Sequence, residues 1–169
     1  VAVETDDPRE APVGALGFPL VATRNTTRVG GADSASNAAA VALATHPPAP
    51  GVEPIESAVL VPDDDWQAGV AAASLAGPPL RAPLLIGTAT STPSATDDAL
   101  AQLHPRGGGS EAAIYTVGDV AAPSGFETDR IEGDSPAELA DEIDRLRERL
   151  LKSAPEHIVV ASQDEAAFS

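Results

Sequence analysis

Three short apolar runs limit the fold of this chain more than any other feature. They are "SAVLV" at residues 57–61, "APLLIG" at 82–87 and "EAAIYTVG" at 111–118. Each run is mainly apolar and does not alternate with polar residues, which is typical of strands that are covered on both faces. The helix-like segments "PDDDWQAGVAAASLAGPP" and "SATDDALAQLHP" separate them. This alternation over short connections predicts an α/β fold, with a parallel sheet flanked by helices.

An earlier segment, "TTRVGGADSASNAAAVALA" at residues 26–44, has the pattern of a strand, a turn and a helix start. Asp33 is predicted to be the N-cap of a helix that runs to about Leu43. Gly30 and Gly31 have two interpretations, an anion site at the helix N-terminus or a tight turn between strand and helix. The tight turn is favoured, because neither glycine pattern typical of nucleotide-binding loops occurs here.

The same pattern recurs later in the chain, in "DRIEGDSPAELADEIDRLRERLLKS". Residues 28 and 31 align with residues 130 and 133, a constant offset of 102 residues. The equivalent pairs are Arg28 and Arg130, Gly31 and Gly133, Asp33 and Ser135, and Ala38 and Ala140. Further on, "HIVVASQDEAAF" aligns with "SAVLVPDDDWQA" at an offset of 100 residues. The chain is therefore predicted to contain about one and a half internal repeats.

This period predicts the domain organisation. Residues 1–17 are expected to form a flexible leader and residues 18–118 the first repeat. Residues 119–128 connect it to the truncated N-terminal part of a second repeat at 129–169. "RIEG" and "HIVVA" would form only part of a sheet. One long strand edge is therefore expected to be left for missing sequence, a symmetry mate or another protein.

The predicted helices have specific start signals and apolar faces. Asp63, Asp64 and Asp65 fit either calcium ligands or a helix start with acids in its first turn, and the helix start is favoured. Trp66 is predicted to be a core residue or an anchor at a repeat interface. In the second copy, Ser135, Pro136 and Glu138 predict a capping box. The predicted stripe and surface pairs of that helix are Leu139, Ile143, Leu146 and Leu150, with Asp141–Arg145 and Glu148–Lys152.

Charge and composition exclude several classes of function. With 26 acids and 10 bases, the formal net charge is −16, which opposes binding to nucleic acid. The absence of cysteine excludes disulfides and thiol catalysis. No catalytic motif and no plausible zinc set occurs, so we expect a non-enzyme without a metal or cofactor. The longest apolar runs are too short to predict a membrane span. Arg106, in the glycine-rich loop at 104–110, is a weak anion-binding candidate.

In this order the motifs resemble the bacterial cell wall-binding repeat type 2 family, especially versions in secreted actinobacterial proteins. The segments that carry the resemblance are "RVGGADSASNAAAVA", "AVLVPDDDWQAGVAAASLAGPPLRAPLLIG", "AIYTVG" and "RIEGDSPAELADEID". The resemblance implies an extracellular, wall-associated module whose signal peptide has been removed. Such a module attaches non-covalently to anionic cell-wall polymer and packs in tandem copies. Ser34 and Pro136 stand where the family often has a second arginine.

The resemblance and the repeat together define the candidate ligand-binding residues, which are Arg28, Gly30, Gly31, Asp33, Arg81 and Arg130. For Arg28 and Arg130, pairing with acids such as Asp33 competes with ligand binding and is favoured. The alternative function is a structural or interaction module. In that case the chain packs against further repeats or partner chains and binds no polymer, which agrees with its acidic charge.

Overall fold

The computed structural model describes residues 21–22, 27–49, 51–108 and 111–153. Within these residues, four strands form an all-parallel sheet flanked by four helices, which confirms the predicted α/β fold. The strands are β1 (Val21–Ala22), β2 (Thr27–Arg28), β3 (Ala58–Pro62), β4 (Leu84–Gly87), β5 (Ile114–Val117) and β6 (Thr128–Ile131). The helices are α1 (Ser34–Thr45), α2 (Trp66–Ala72), which continues as a 3₁₀ turn over Ala73–Ala76, α3 (Ser94–Leu103) and α4 (Pro136–Leu151).

The main sheet has the strand order β4-β3-β5-β6. The three predicted apolar strands are therefore confirmed as β3, β4 and β5, and β3 lies between the other two. β1 and β2 pair antiparallel in a separate two-stranded ribbon, in which Val21 lies opposite Arg28. The turn residues of the first repeat therefore follow a strand that is not part of the main sheet.

Helices cover both faces of the sheet, because successive side chains of a strand point to opposite faces. On one face, α2 and α4 contact each other. That core contains Val59, Val61, Ala68, Ala72, Leu75, Tyr115, Val117, Ile131, Leu139, Ile143 and Leu146. On the other face α1 packs against α3 and β4. That core contains Ala39, Ala42, Leu43, Ala58, Leu60, Leu85, Ala99, Leu100, Leu103, Ile114 and Val120.

The second-copy segment completes the sheet of the first copy. β6 pairs in parallel with β5, with Arg130 beside Thr116 and Ile131 beside Val117. The strand formed by "RIEG" therefore belongs to the same sheet as the strands of the first copy. The segment "HIVVA" and the predicted leader at 1–17 lie outside the described residues.

The details of α2 correct two predictions. Asp65 is the N-cap, and its Oδ1 accepts hydrogen bonds from the N–H groups of Gln67 and Ala68, both at 3.0 Å. Asp63 and Asp64 therefore precede the helix and do not lie in its first turn. Trp66 is 53% exposed, so its assignment to the core is wrong.

The predicted apolar stripe of α4 is confirmed. Leu139, Ile143 and Leu146 are buried against the sheet, and Leu150 packs at the margin of the same core. Arg145 pairs with Glu142, whereas the sequence predicts Asp141 as its partner. Among the described helices, none combines the length and the apolar character needed to cross a bilayer.

Repeat-equivalent positions in α1 and α4 differ in burial, which leads to a first prediction. Ile143 is 3% exposed, while Val41, the residue 102 positions earlier, is 52% exposed. We expect Ile143→Ala to lower the free energy of unfolding by about 2 to 5 kcal/mol, because it leaves a cavity between α4 and the sheet. The matched control Val41→Ala is expected to change it by less than about 0.5 kcal/mol. Urea unfolding measures both variants, and similar losses would contradict the packing of α4 described here.

Candidate functional site

The turn before α1 is closed by a very short approach between Gly31 and the helix start. A Cβ on Gly31 would lie 2.4 Å from the Cβ and 2.6 Å from the carbonyl carbon of Ser36. A Cβ on Gly30 would meet only the Oδ1 of Asn37, at 3.9 Å. Only the second glycine is therefore required by packing. This explains why Glu132 can occupy the position equivalent to Gly30 in the second copy.

The turn before α4 repeats this approach. A Cβ on Gly133 would lie 2.6 Å from the amide nitrogen of Leu139 and 3.0 Å from the carbonyl carbon of Glu138. Glu138 and Leu139 are equivalent to Ser36 and Asn37 at the same offset of 102 residues. The repeat seen in the sequence is thus also a repeat of packing geometry.

Two side chains at the start of α1 accept hydrogen bonds from backbone N–H groups of the turn and of the first helical residues. The Oδ1 of Asp33 accepts from the N–H of Ser36 at 2.7 Å, which confirms the predicted N-cap. The Oδ1 of Asn37 accepts from the N–H of Gly31, also at 2.7 Å. Hydrogen bonds from the backbone and side chain of Ser36 hold the pKa of Asp33 below its ordinary value. A carboxylate of the protein therefore lies where a bound anion would lie at this helix end, which favours the tight-turn interpretation.

The second turn uses a carboxylate in a related way. The Oγ of Ser135 accepts from the N–H of Glu138 at 3.3 Å, as the capping box predicts. The Oε2 of Glu138 accepts from the N–H of Asp134 at 2.9 Å, one residue before the expected partner. Both turns thus bind their own acidic side chain.

Arg130 is held by two contacts on its own sheet edge. One guanidinium nitrogen donates to the carbonyl oxygen of Val120 at 3.2 Å, and another lies 3.3 Å from the Oε1 of Glu132. The Arg130 side chain is still 52% exposed. Arg130 therefore ties β6 to the loop that follows β5, and it retains an exposed surface.

Arg81 lies at the opposite edge of the sheet from Arg130. Its φ of 50° is in the left-handed region, and its carbonyl oxygen accepts from the Nε2 of His46, the C-cap of α1, at 3.2 Å. Among the described strands β4 and β6 are the outer two, and Arg81 precedes β4 whereas Arg130 lies in β6. These strands are three spacings apart, or about 14 Å. The fold does not bring these two candidate residues into one site.

A groove of about 410 Å³ beside the second turn is strongly acidic. Arg145 is the basic residue among its lining residues, and it pairs with Glu142. The lining acids are Glu132, Asp134, Glu138, Asp141 and Glu142. An anionic ligand at this turn would therefore face repulsion from several carboxylates.

A cavity of about 520 Å³ lies at the amino ends of β5 and β6, and Arg106, the weak anion-binding candidate, is one of its lining residues. Its charged lining residues are Arg106, Glu111, Glu127 and Asp129. The N–H groups of Arg106 and Gly107 donate to the carbonyl oxygens of Ile55 and Glu56, at 3.2 and 2.7 Å. Glu111 and Glu127 precede β5 and β6, and Asp129 is the second residue of β6. The strand order, and not the sequence, shows that these three acids lie close together.

The chain was compared with family models, curated proteins and solved structures. No family model matches the chain, and no curated protein matches it. Among solved structures, the chain is similar to Cwp8 from Clostridium difficile, with a TM-score of 0.48 and 22% sequence identity. The match covers 67% of this chain and 20% of the other, so this chain spans about a fifth of that structure. A similarity of this degree supports no conclusion about function.

The two glycine positions of the first turn provide a matched test. We expect Gly31→Ala to lower the free energy of unfolding by about 1 to 3 kcal/mol, because the new methyl group overlaps the backbone of Ser36. Gly30→Ala is expected to change it by less than about 0.5 kcal/mol. Gly133→Ala repeats the test in the second copy and is expected to resemble Gly31→Ala. Equal tolerance of alanine at positions 30 and 31 would refute the close approach.

The Asp33 cap predicts a pH dependence. A carboxyl group whose pKa is lowered by folding stabilises the protein above its ordinary value of 3.8 and loses this effect as pH falls through the lower folded pKa. We therefore expect Asp33→Ala to be less stable than wild type at neutral pH. The difference is expected to shrink below pH 3.8. Thermal melts across this range measure the difference, and a constant gap would rule out the ionised cap.

Proposed function

We propose that this chain is a non-catalytic, extracellular cell wall-binding module that attaches to cell-wall polymer. The observation that carries the proposal is the recurrence of one strand–glycine–helix unit at a fixed offset, within motifs that resemble the cell wall-binding repeat type 2 family. Gly31 and Gly133 make equivalent close contacts in the two copies. The unit is therefore a repeated structural element, which agrees with a module that acts through multiple copies.

The distribution of charge indicates how such attachment would work. The two helix starts bind their own carboxylates, and the groove at the second turn is acidic. Contacts to an anionic polymer would therefore fall on the arginines Arg28, Arg81 and Arg130. Several weak contacts on one polymer add by avidity, so each arginine needs to contribute only modestly.

Sedimentation with purified cell walls tests this proposal. We expect the wild-type chain to sediment with walls at low salt and to be released at high salt, because exposed ion pairs are screened. Arg28→Ala and Arg81→Ala are expected to weaken sedimentation several-fold. Arg145→Ala is the matched control, since Arg145 already pairs with Glu142 in the acidic groove. Failure of the wild-type chain to sediment at either salt concentration would remove the polymer-binding claim.

A second function is favoured by the same electrostatics. The acidic groove and a net charge of −16 agree with a structural or interaction module that packs against further repeats or another chain. Light scattering at several concentrations separates the two functions. A chain that binds walls and stays monomeric supports the first function, and one that assembles without binding walls supports the second.

A further inference from the structure

Two glutamates meet beside the loop that joins α3 to β5. β3 and β5 are neighbours, with Ala58 opposite Ile114, so the residues that lead into them lie close together. The N–H of Gly107 donates to the carbonyl oxygen of Glu56 at 2.7 Å. Gly108 and Glu111 exchange two backbone hydrogen bonds, at 3.1 and 2.8 Å. The backbone of Gly107 and Gly108 is therefore held between Glu56 and Glu111.

The Glu56 carboxyl group lies beside Gly108, whose backbone is hydrogen-bonded to that of Glu111. A Cβ on Gly108 would lie 3.7 Å from both the Cδ and the Oε1 of Glu56. The Oε2 of Glu111 is buried and has no hydrogen-bond partner in the described part of the chain. Burial raises the pKa of the Glu111 carboxyl, and the charge of Glu56 and a hydrogen bond to its side chain raise it further. A protonated Glu111 can donate to Glu56, whereas two ionised groups repel each other.

The surrounding groups do not neutralise this pair of acids. Glu111 lines the 520 Å³ cavity together with Arg106, Glu127 and Asp129, so acids outnumber the single arginine. Beneath them, the buried hydroxyl of Tyr115 accepts from the N–H of Ala112 at 3.2 Å, and burial raises its pKa above the ordinary value of 10.0. The positive charge of Arg149 in α4 lowers the pKa of Tyr115, but this effect is smaller than that of burial. Tyr115 therefore stays neutral over the pH range in which carboxyl groups titrate.

We propose that Glu56 and Glu111 form an acid-sensitive clasp, in which one proton shared by their carboxyl groups fastens the Gly107–Gly108 backbone to the amino ends of β3 and β5. The carboxyl groups take up this proton from solvent as pH falls. When the proton is lost, the two carboxylates repel each other and the loop backbone is held less tightly. A carboxyl group whose folded pKa lies above its ordinary value of 4.5 binds its proton more tightly in the folded chain than in the unfolded chain. The clasp therefore strengthens as pH falls through the folded pKa toward 4.5.

Amide hydrogen exchange tests the clasp in the intact chain. We expect the protection factors of the Gly107, Gly108 and Glu111 amides to rise several-fold as pH falls from neutral toward 4.5. The Val59 amide, which donates to Pro83 inside the sheet, serves as the internal reference. Glu111→Gln mimics the protonated acid, because its amide group can donate to Glu56. This variant is expected to be protected already at neutral pH and to lose the pH response.

Two further variants keep the test decisive. Glu56→Gln places the neutral amide on the other side of the pair and is expected to behave like Glu111→Gln. Glu127→Gln removes the same charge from the same cavity without altering the pair, and it is expected to keep the wild-type response. A wild-type chain with equal relative protection at both pH values would overturn the clasp. A Glu127→Gln response as flat as that of Glu111→Gln would also overturn it, since general charge repulsion would then be the cause.

Discussion

The structure depends on covering the central strands β3 and β5 on both faces. Their residues are apolar on each side, and Val59, Leu60, Ile114 and Val117 are all fully buried. On one face, α1 and α3 of the first copy supply the cover. On the other face α2 is short, and the stripe of α4 adds the remaining contacts. A parallel sheet needs this double cover, so the first copy is completed by β6 and α4 of the second.

This dependence explains how the repeat relates to the fold. The sequence period begins at the strand–glycine–helix unit, whereas the packed sheet includes that unit from the following copy. The two copies of the unit also face different surroundings. α1 packs with small residues such as Ala39 and Ala42, and α4 uses the larger Ile143 and Leu146. The turn geometry recurs because the glycine contacts are internal to the unit, while the helix faces follow their separate neighbours.

Much of this architecture could be predicted from local signals. Apolar runs located β3, β4 and β5, and capping residues located the starts of α1 and α4. The position of β6 was harder, because its residues Asp129 and Arg130 are exposed and carry no apolar signal, so that pairing with β5 decides its place. The exposure of Trp66 depends on which way α2 faces, which local sequence does not specify.

The candidate site was only partly accessible to sequence reasoning. The need for Gly31 follows from a contact with Ser36, and recurrence of the glycine was a usable signal for it. The separation of Arg81 and Arg130 follows from the strand order, which residue types alone do not determine. The pairing of Glu56 with Glu111 likewise requires the register of β3 and β5. Spatial clusters of charge were thus missed where they depend on topology, while the helix caps Asp33 and Ser135 were predicted correctly.

The second-copy segment is an integral part of the first-copy sheet. Native-state hydrogen exchange tests it most directly, by comparing the opening free energies of amides in α4, such as that of Ile143, with those in β3, such as that of Leu60. If α4 completes the sheet, both sets will open together, with the same free energy and the same dependence on denaturant. If the α4 amides open at much lower free energy while those of β3 stay protected, α4 is a peripheral attachment and does not complete the sheet.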